Sequence, residues 1–263
     1  MTLLGFIALY LIASVGIGVY AATKVRNTSD YALAGRSLPL FVIVATTFAT
    51  WFGSETVLGI PSKFVEGGFR NTVEDPFGAG LCLVLVGMFF ARKLYKMELL
   101  TIGDFYRRRY GRGVEIFSSI VILISYLGWV AAQITALGLV FNLLSADGIS
   151  VAWGMVLGTA VVLVYTLFGG MWSVALTDTF QMAIIIVGLS LIAIFAADQA
   201  GGASRVIEYA QSREMFRFFP DGGAREWLFW TGAAITIMIG SIPQQDVFQR
   251  VMSAKDADTS VKG

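Results

Sequence analysis

The feature that most constrains this chain is a succession of long apolar blocks. A helix needs about 20 mostly apolar residues to cross the hydrocarbon core of a bilayer. Seven blocks reach that length or nearly so: Thr2–Ala22, Pro39–Ile60, Pro76–Ala91, Val114–Leu144, Ile149–Phe168, Ser173–Ala197 and Trp227–Val251. Only 14% of the residues are charged, whereas soluble domains carry roughly 25%. The sequence therefore predicts an all-α polytopic membrane protein that has the lipid bilayer as its surroundings.

The rest of the composition argues against several kinds of function. The chain has no histidine and a single cysteine, Cys82, so neither a zinc cluster nor a disulfide framework is available. Its formal net charge of +1 gives no sign of a nucleic-acid surface. No predicted span carries a pair of acids at a spacing that suits acid–base catalysis. We expect a protein that is not an enzyme and has no nucleic-acid partner.

Lysine and arginine predict the orientation, because cytoplasmic loops carry an excess of both. They concentrate in segments 23–39 and 92–113 and in the tail after residue 251, which share one side of the membrane if there are seven spans. We therefore expect a multi-pass protein of the plasma membrane with its N-terminus outside and its C-terminus in the cytoplasm. The densest basic run, RRRYGR at 107–112, is interpreted as an anchor near anionic lipid headgroups.

Three acids lie inside predicted spans: Glu55, Asp178 and Asp246. A charge there costs roughly 2.5–3.5 kcal/mol on insertion scales and is a functional candidate by default. Each follows residues that loosen a helix, with Gly53 before the first, Gly169-Gly170 before the second and Pro243 before the third. Asp178 and Asp246 lie near the ends of their spans, where simple hydration is the alternative interpretation.

The stretch TTFATWFGSETVLGIP, residues 46–61, poses the sharpest question. Its Gly53-Ser54 pair is explained either by close helix packing or by an interruption of the helix. An interrupted helix exposes backbone groups that lipid cannot satisfy, so the break must face protein or water. A second break is expected at 240–243, ahead of Asp246. Two interrupted spans in one chain are typical of transporter sites, where free carbonyls coordinate a small cation.

Four stretches in order resemble the sodium/solute symporter family. They are DYALAGRSLP (30–39), ATWFGSETVLGIP (49–61), YTLFGGMWSVALTDTFQ (165–181) and IPQQDVFQRVMSAK (242–255). The third is the most specific, because its Tyr-Thr, Gly-Gly and Thr-Asp…Gln elements stand at the family's spacing. Within the family, the chain leans toward the choline-transporter branch.

The resemblance implies an inverted-repeat symporter fold of the leucine-transporter type, truncated after about seven transmembrane helices. Residues 1–38 would hold a peripheral N-terminal helix and a cytoplasmic loop, and 39–198 the first five-helix repeat. Residues 199–226 would form an extracellular loop, and 227–263 the first helix of the second repeat with a cytoplasmic tail. The remaining C-terminal helices of such a transporter would then be missing partners of this chain.

The resemblance also implies a sodium site. The family's shared site uses backbone carbonyls at the break in the first core helix, which correspond to Ala49 and Phe52. Asp178 matches an acid linked to sodium coupling. The other ligands of that site belong to the eighth core helix, beyond the seven spans predicted here.

Solute-binding residues are implied in the same way. Thr56 matches a substrate-facing position of sugar-transporting members. Trp51 and Trp129 match aromatic walls for a quaternary ammonium in the choline branch, where a third tryptophan is replaced here by Gln244. Glu55, Glu74 and Asp75 are candidate counter-charges for a cationic solute, and the alternative for Glu74 and Asp75 is a place at the aqueous rim.

The implied function is sodium-coupled uptake of a small polar or organic solute by alternating access, with Na⁺ as the coupling ion. The alternative is a sensor, because members of the family also form the membrane half of signalling proteins. A membrane sensor would use the same solute-binding fold.

Overall fold

The computed structural model describes residues 3–263, with side chains from residue 5 onward, so Thr2 of the first predicted span lies outside the described residues. The α-helices are, in chain order, α1 (Leu3–Ala22), α2 (Thr28–Leu33), α3 (Leu40–Trp51), α4 (Ile60–Gly67), α5 (Ala79–Leu85), α6 (Arg92–Lys96), α7 (Ile102–Tyr110), α8 (Arg112–Leu144), α9 (Val151–Gln199), α10 (Ala203–Ser212), α11 (Ala224–Gly240), α12 (Gln245–Ser253) and α13 (Ala257–Lys262). Wider π-helical turns join several of them at Glu55–Gly59, Val73–Gly78 and Val86–Ala91, and 3-10 turns lie at Ala34–Arg36 and Gly68–Thr72.

Helical stretches long and apolar enough to cross a membrane account for most of the predicted spans. They are Gly5–Ala22, Glu55–Lys96, Arg112–Leu144 and Val151–Gln199, and their most apolar windows have mean hydropathies between 1.7 and 2.5. The shorter α3 is also apolar. The second predicted block does not end at Ile60, because the helix continues to Gly67. Pro61 does not stop it, since proline is tolerated in the first turn of a helix.

The predicted fifth and sixth spans form the two helical halves of α9, which meet at a kink at Gly170. Gly170 has φ 49° and ψ −140°, a conformation that side chains rarely allow. A Cβ atom at this position would overlap the carbonyl oxygen of Tyr31 in α2. The bend therefore lets α2 pack into α9 and turns the second half of α9, with Asp178, toward α3.

Four segments predicted as loops or tail contain short helices: α2 in 23–39, α6 and α7 in 92–113, α10 in 199–226 and α13 in the tail. Side-chain caps begin three of them, and in α2 the Asn27 side chain accepts from the Asp30 amide (2.9 Å). Thr101 and Asp104 form a reciprocal capping box at the start of α7. Asp256 accepts a hydrogen bond from the amide of Thr259 (2.7 Å) at the start of α13. That bond holds the pKa of the Asp256 carboxyl below its usual value.

A short backbone pairing joins the start of α3 to the end of α12. The Leu38 amide donates to the Ser253 carbonyl (3.1 Å), and the Lys255 amide donates to the Leu38 carbonyl (2.9 Å). The Tyr95 hydroxyl donates to the Ala254 carbonyl (3.0 Å). Arg36 lies over the Tyr95 ring (4.0 Å to its centroid). These bonds place the two interrupted helices, α3 and α12, side by side.

We expect Gly170→Ala to destabilise the fold, because alanine would need a backbone conformation that costs about 1–3 kcal/mol as well as a shift of α2. The matched control is Gly188→Ala in the same helix, where an added Cβ meets nothing within 4 Å. Apparent melting temperatures of the detergent-purified variants should separate, with Gly170→Ala clearly lower. Equal melting temperatures would show that the bend does not depend on this glycine.

Candidate functional site

The interruption of α3 has the geometry that the sequence predicted. The last helical bond is the Phe52 amide donating to the Phe48 carbonyl (2.9 Å), and Phe52 then departs from helical angles with φ −94° and ψ 69°. The Ser54 amide donates to Oε1 of Gln133 in α8 (3.2 Å) rather than to the preceding turn. The last carbonyls of a helix lack intrahelical partners, so Ala49 and Phe52 contribute carbonyls at this break.

Gln133 connects the two sides of the interruption. While its Oε1 accepts from Ser54, its Nε2 donates to the Glu55 carboxylate (2.6 Å). Trp129, four residues earlier in α8, donates its Nε1–H to the other carboxylate oxygen of Glu55 (3.1 Å). Side chains at i and i+4 share one helix face. One face of α8 therefore bonds both the Ser54 amide and the Glu55 carboxylate, which lie just beyond the break.

The first cavity lies against one side of the interruption and has a volume of about 680 Å³. Ala49, Phe52 and Asp178, the residues predicted for sodium, all line it. The buried Thr46 of α3 donates its hydroxyl to the Asp178 carboxylate (2.5 Å). Arg250 lines the same cavity, so positive charge is available to the carboxylate as well.

The second cavity, of about 700 Å³, lies on the other side of the interruption. Trp51, Glu55, Trp129 and Gln244 line it, which brings together four of the five residues predicted to contact a solute. Thr56 is not part of its lining: its hydroxyl is within hydrogen-bond distance of both the Asp75 carboxylate (2.8 Å) and the Trp51 carbonyl (3.2 Å). Thr56 therefore touches the cavity through Asp75, which does line it.

The second predicted break is also present, since α11 ends at Gly240 and α12 begins at Gln245. Tyr126 of α8 holds the start of α12. Its hydroxyl donates to the Asp246 carboxylate (2.6 Å) and accepts from the Asp246 amide (3.2 Å). The Tyr126 ring stands edge-on to that of Trp129, with centroids 6.3 Å apart.

Charge distinguishes the second cavity from the first, whose lining includes Arg250. Within the described part of the chain, its lining includes the carboxylates of Glu55, Asp75 and Asp246 and neither lysine nor arginine. Trp51 and Trp129 supply aromatic faces. Acidic oxygens combined with aromatic faces suit a cation that carries apolar groups. Glu74, which was also a candidate counter-charge, forms an ion pair with Lys63 instead.

Three functional candidates in the structure were not predicted: Gln133, Tyr126 and Thr46. The first two carried a signal in the sequence, because residues 126, 129 and 133 are large polar or aromatic residues in the apolar middle of α8 and fall on one helix face. Thr46 carried none, since threonine is common in apolar helices.

Interrupted helices with a polar cavity at their break define the class of secondary transporter folds. The chain belongs to the Sodium:solute symporter family, whose model matches residues 31–263.

Two curated relatives and one solved structure illustrate the similarity. The "High-affinity choline transporter 1" of Caenorhabditis elegans is 29% identical over 97% of this chain and 45% of its own length. The "Sodium-coupled monocarboxylate transporter 2" of Bos taurus is 26% identical over 95% of this chain and 41% of its own length. A Na⁺-coupled sialic acid symporter, solved substrate-bound in an outward-open state, has a TM-score of 0.81 at 22% identity.

The structural match covers 99% of this chain and 54% of the symporter. It confirms the predicted all-α symporter fold. The chain spans about half the length of the curated relatives it matches.

We expect Tyr126→Phe to weaken the attachment of α12 to α8, because it removes the hydroxyl that bonds both the carboxylate and the amide of Asp246. A hydrogen bond to a charged group contributes about 1.5–3 kcal/mol. SDS-driven unfolding should show a loss of that size. Tyr110→Phe is the control, since its ring is exposed at the end of α7. A Tyr126→Phe curve that overlays the wild type would contradict this role.

Proposed function

We propose that this chain forms part of a transporter that couples the entry of Na⁺ to the uptake of a small organic solute across the plasma membrane. The observation that carries the proposal is the break in α3, with one cavity on each side of it. Membership of the Sodium:solute symporter family supports the coupling ion. Neither the relatives described above nor the two cavities favour the sensor alternative.

The first cavity is proposed as the place of Na⁺. The C-terminal end of a helix carries a partial negative charge, and α3 ends at this cavity. The carbonyls of Ala49 and Phe52 would coordinate the ion, and the Asp178 carboxylate would add attraction without being freely hydrated, because Thr46 already bonds it (2.5 Å). Carbonyl and carboxylate oxygens are suitable ligands for a hard alkali ion.

The second cavity is proposed as the place of the solute, and its chemistry favours an organic cation. Trp51 and Trp129 would face the cationic group, each contact contributing ~0.5–2 kcal/mol. Glu55 would supply the counter-charge and Gln244 a polar contact, while Thr56 would act on the solute through Asp75, to which it is bonded.

The proposed cycle needs no covalent chemistry. Na⁺ would fix the break and stabilise the outward-open form, and inward release would follow a rearrangement of the helices around the fixed site. The membrane potential would add about 2.3 kcal/mol per charge per 100 mV. The outside N-terminus, the cytoplasmic C-terminus and the division into a repeat at 39–198, a loop at 199–226 and a second-repeat helix at 227–263 stay predictions.

Uptake by the protein at its full encoded length should collapse in proteoliposomes when external sodium is replaced by potassium. Asp178→Asn should raise the half-saturating sodium concentration. Loss of a carboxylate charge that contributes ~1.4 kcal/mol to ion binding would raise it roughly tenfold. Asp198→Asn, an exposed change near the end of the same helix, is the control. Uptake that persists in potassium would reject the sodium coupling.

Glu55→Gln should raise the KM for a quaternary ammonium solute such as choline by roughly tenfold, about 1.4 kcal/mol, because it removes the counter-charge and keeps the side chain's shape. The KM for the uncharged carbon analogue of choline should change little, and Glu66→Gln, exposed on α4, should leave both unchanged. An equal loss for charged and uncharged solutes would show that Glu55 acts on the fold and not on solute charge.

A further inference from the structure

A third cavity lies at the corner between α7 and α8, away from the break in α3. Its volume is about 450 Å³, and its lining residues are Arg107, Arg112, Glu115, Ile116, Ser119 and Ile120. None of these lines the two cavities of the proposed transport site. We propose that this α7–α8 cavity binds the phosphate headgroup of an anionic phospholipid.

The polar end of the cavity is suited to a phosphate. Nε of Arg107 forms an ion pair with the Glu115 carboxylate at 3.7 Å, which keeps the guanidinium beside the cavity. A guanidinium has five N–H donors, so Arg107 keeps others for a second anion. Arg112 faces the same space and begins α8, where the helix dipole favours negative charge. The Ser119 hydroxyl completes a set of donors.

The apolar end of the cavity distinguishes a lipid from a soluble anion. Ile116 and Ile120 line it, and each leaves about half of its surface exposed (50% and 51%). The exposed apolar surface continues along α8 through Phe117, Leu123 and Ile124. A ligand whose phosphate contacts the two arginines could therefore lay an acyl chain along α8, which a free phosphate cannot do.

The neighbouring backbone holds the arginines in place. Arg108 donates to the Met97 carbonyl (2.9 Å), which ties the end of α7 to the segment after α6. Gly111 separates the helices with φ 91°, so the chain turns sharply between Arg107 and Arg112. The turn brings arginines from two helices to one cavity, whereas a plain basic run would spread its charge over the surface.

Native mass spectrometry of the detergent-purified protein would test this with added phosphatidylglycerol and, separately, phosphatidylcholine. The test variant is Arg107→Gln with Arg112→Gln. The control, Arg109→Gln with Arg205→Gln, removes the same charge from exposed residues outside the cavity. We expect the wild type to prefer phosphatidylglycerol over phosphatidylcholine. The test variant should bind phosphatidylglycerol roughly 30-fold more weakly, because it lacks the attraction of two arginines to the anionic headgroup. The control should bind as the wild type does.

Three results would overturn the proposal. Equal binding of the two lipids would show that headgroup charge is not recognised. An equal loss in the control would assign the effect to overall charge. Displacement of phosphatidylglycerol by millimolar inorganic phosphate would assign the cavity to a soluble anion. If the test variant fails to fold, Ile116→Glu, a change at a half-exposed position, should abolish the preference; retention of the preference would also overturn the proposal.

Discussion

A peptide group inside a bilayer has no water to bond, and each unsatisfied one costs several kcal/mol. The helix α3 can therefore be interrupted after Trp51 only where other groups form hydrogen bonds with the backbone groups that the break leaves unpaired. Gln133 meets the Ser54 amide, and the Thr56 hydroxyl lies within bonding distance of the Trp51 carbonyl. The rest of the site follows from this requirement, because the helix that supplies Gln133 also walls both cavities at Trp129.

The interruption gives a physical route for coupling an ion to a solute. Thr50 and Ser54, which flank the break, line both cavities together with Trp129 of α8. The interrupted segment therefore forms part of the wall that the two cavities share. An ion that orders the carbonyls on one side would also order the wall on the other. Such coupling needs no long pathway, because a ligand shifts an equilibrium through its different affinities for two states. The names of the two relatives specify different solutes, choline and monocarboxylates. The fold alone therefore does not decide the solute.

Much of this arrangement could be predicted from the sequence, because glycine and proline interrupt helices locally. Gly53 and Pro243 marked the interruptions after α3 and between α11 and α12, and Gly170 marked the kink of α9. Contacts between distant residues could not be predicted in this way. Ser54 and Gln133 are 79 positions apart, and Tyr126 and Asp246 are 120 apart. Their meeting depends on how α8 crosses the broken helices, which the apolar pattern of α8 does not specify.

The short backbone pairing at Leu38 has a mechanical consequence. Leu38 is fully buried and is bonded through both its amide and its carbonyl to the chain just after α12. Two helices that are bonded to each other at one end can separate only by rotating about that end. Any relative movement of α3 and α12 must then be smallest beside Leu38 and Ala254 and grow toward their opposite ends. The chain thus carries a built-in pivot, and the end of α3 at the break and the start of α12 lie farthest from it.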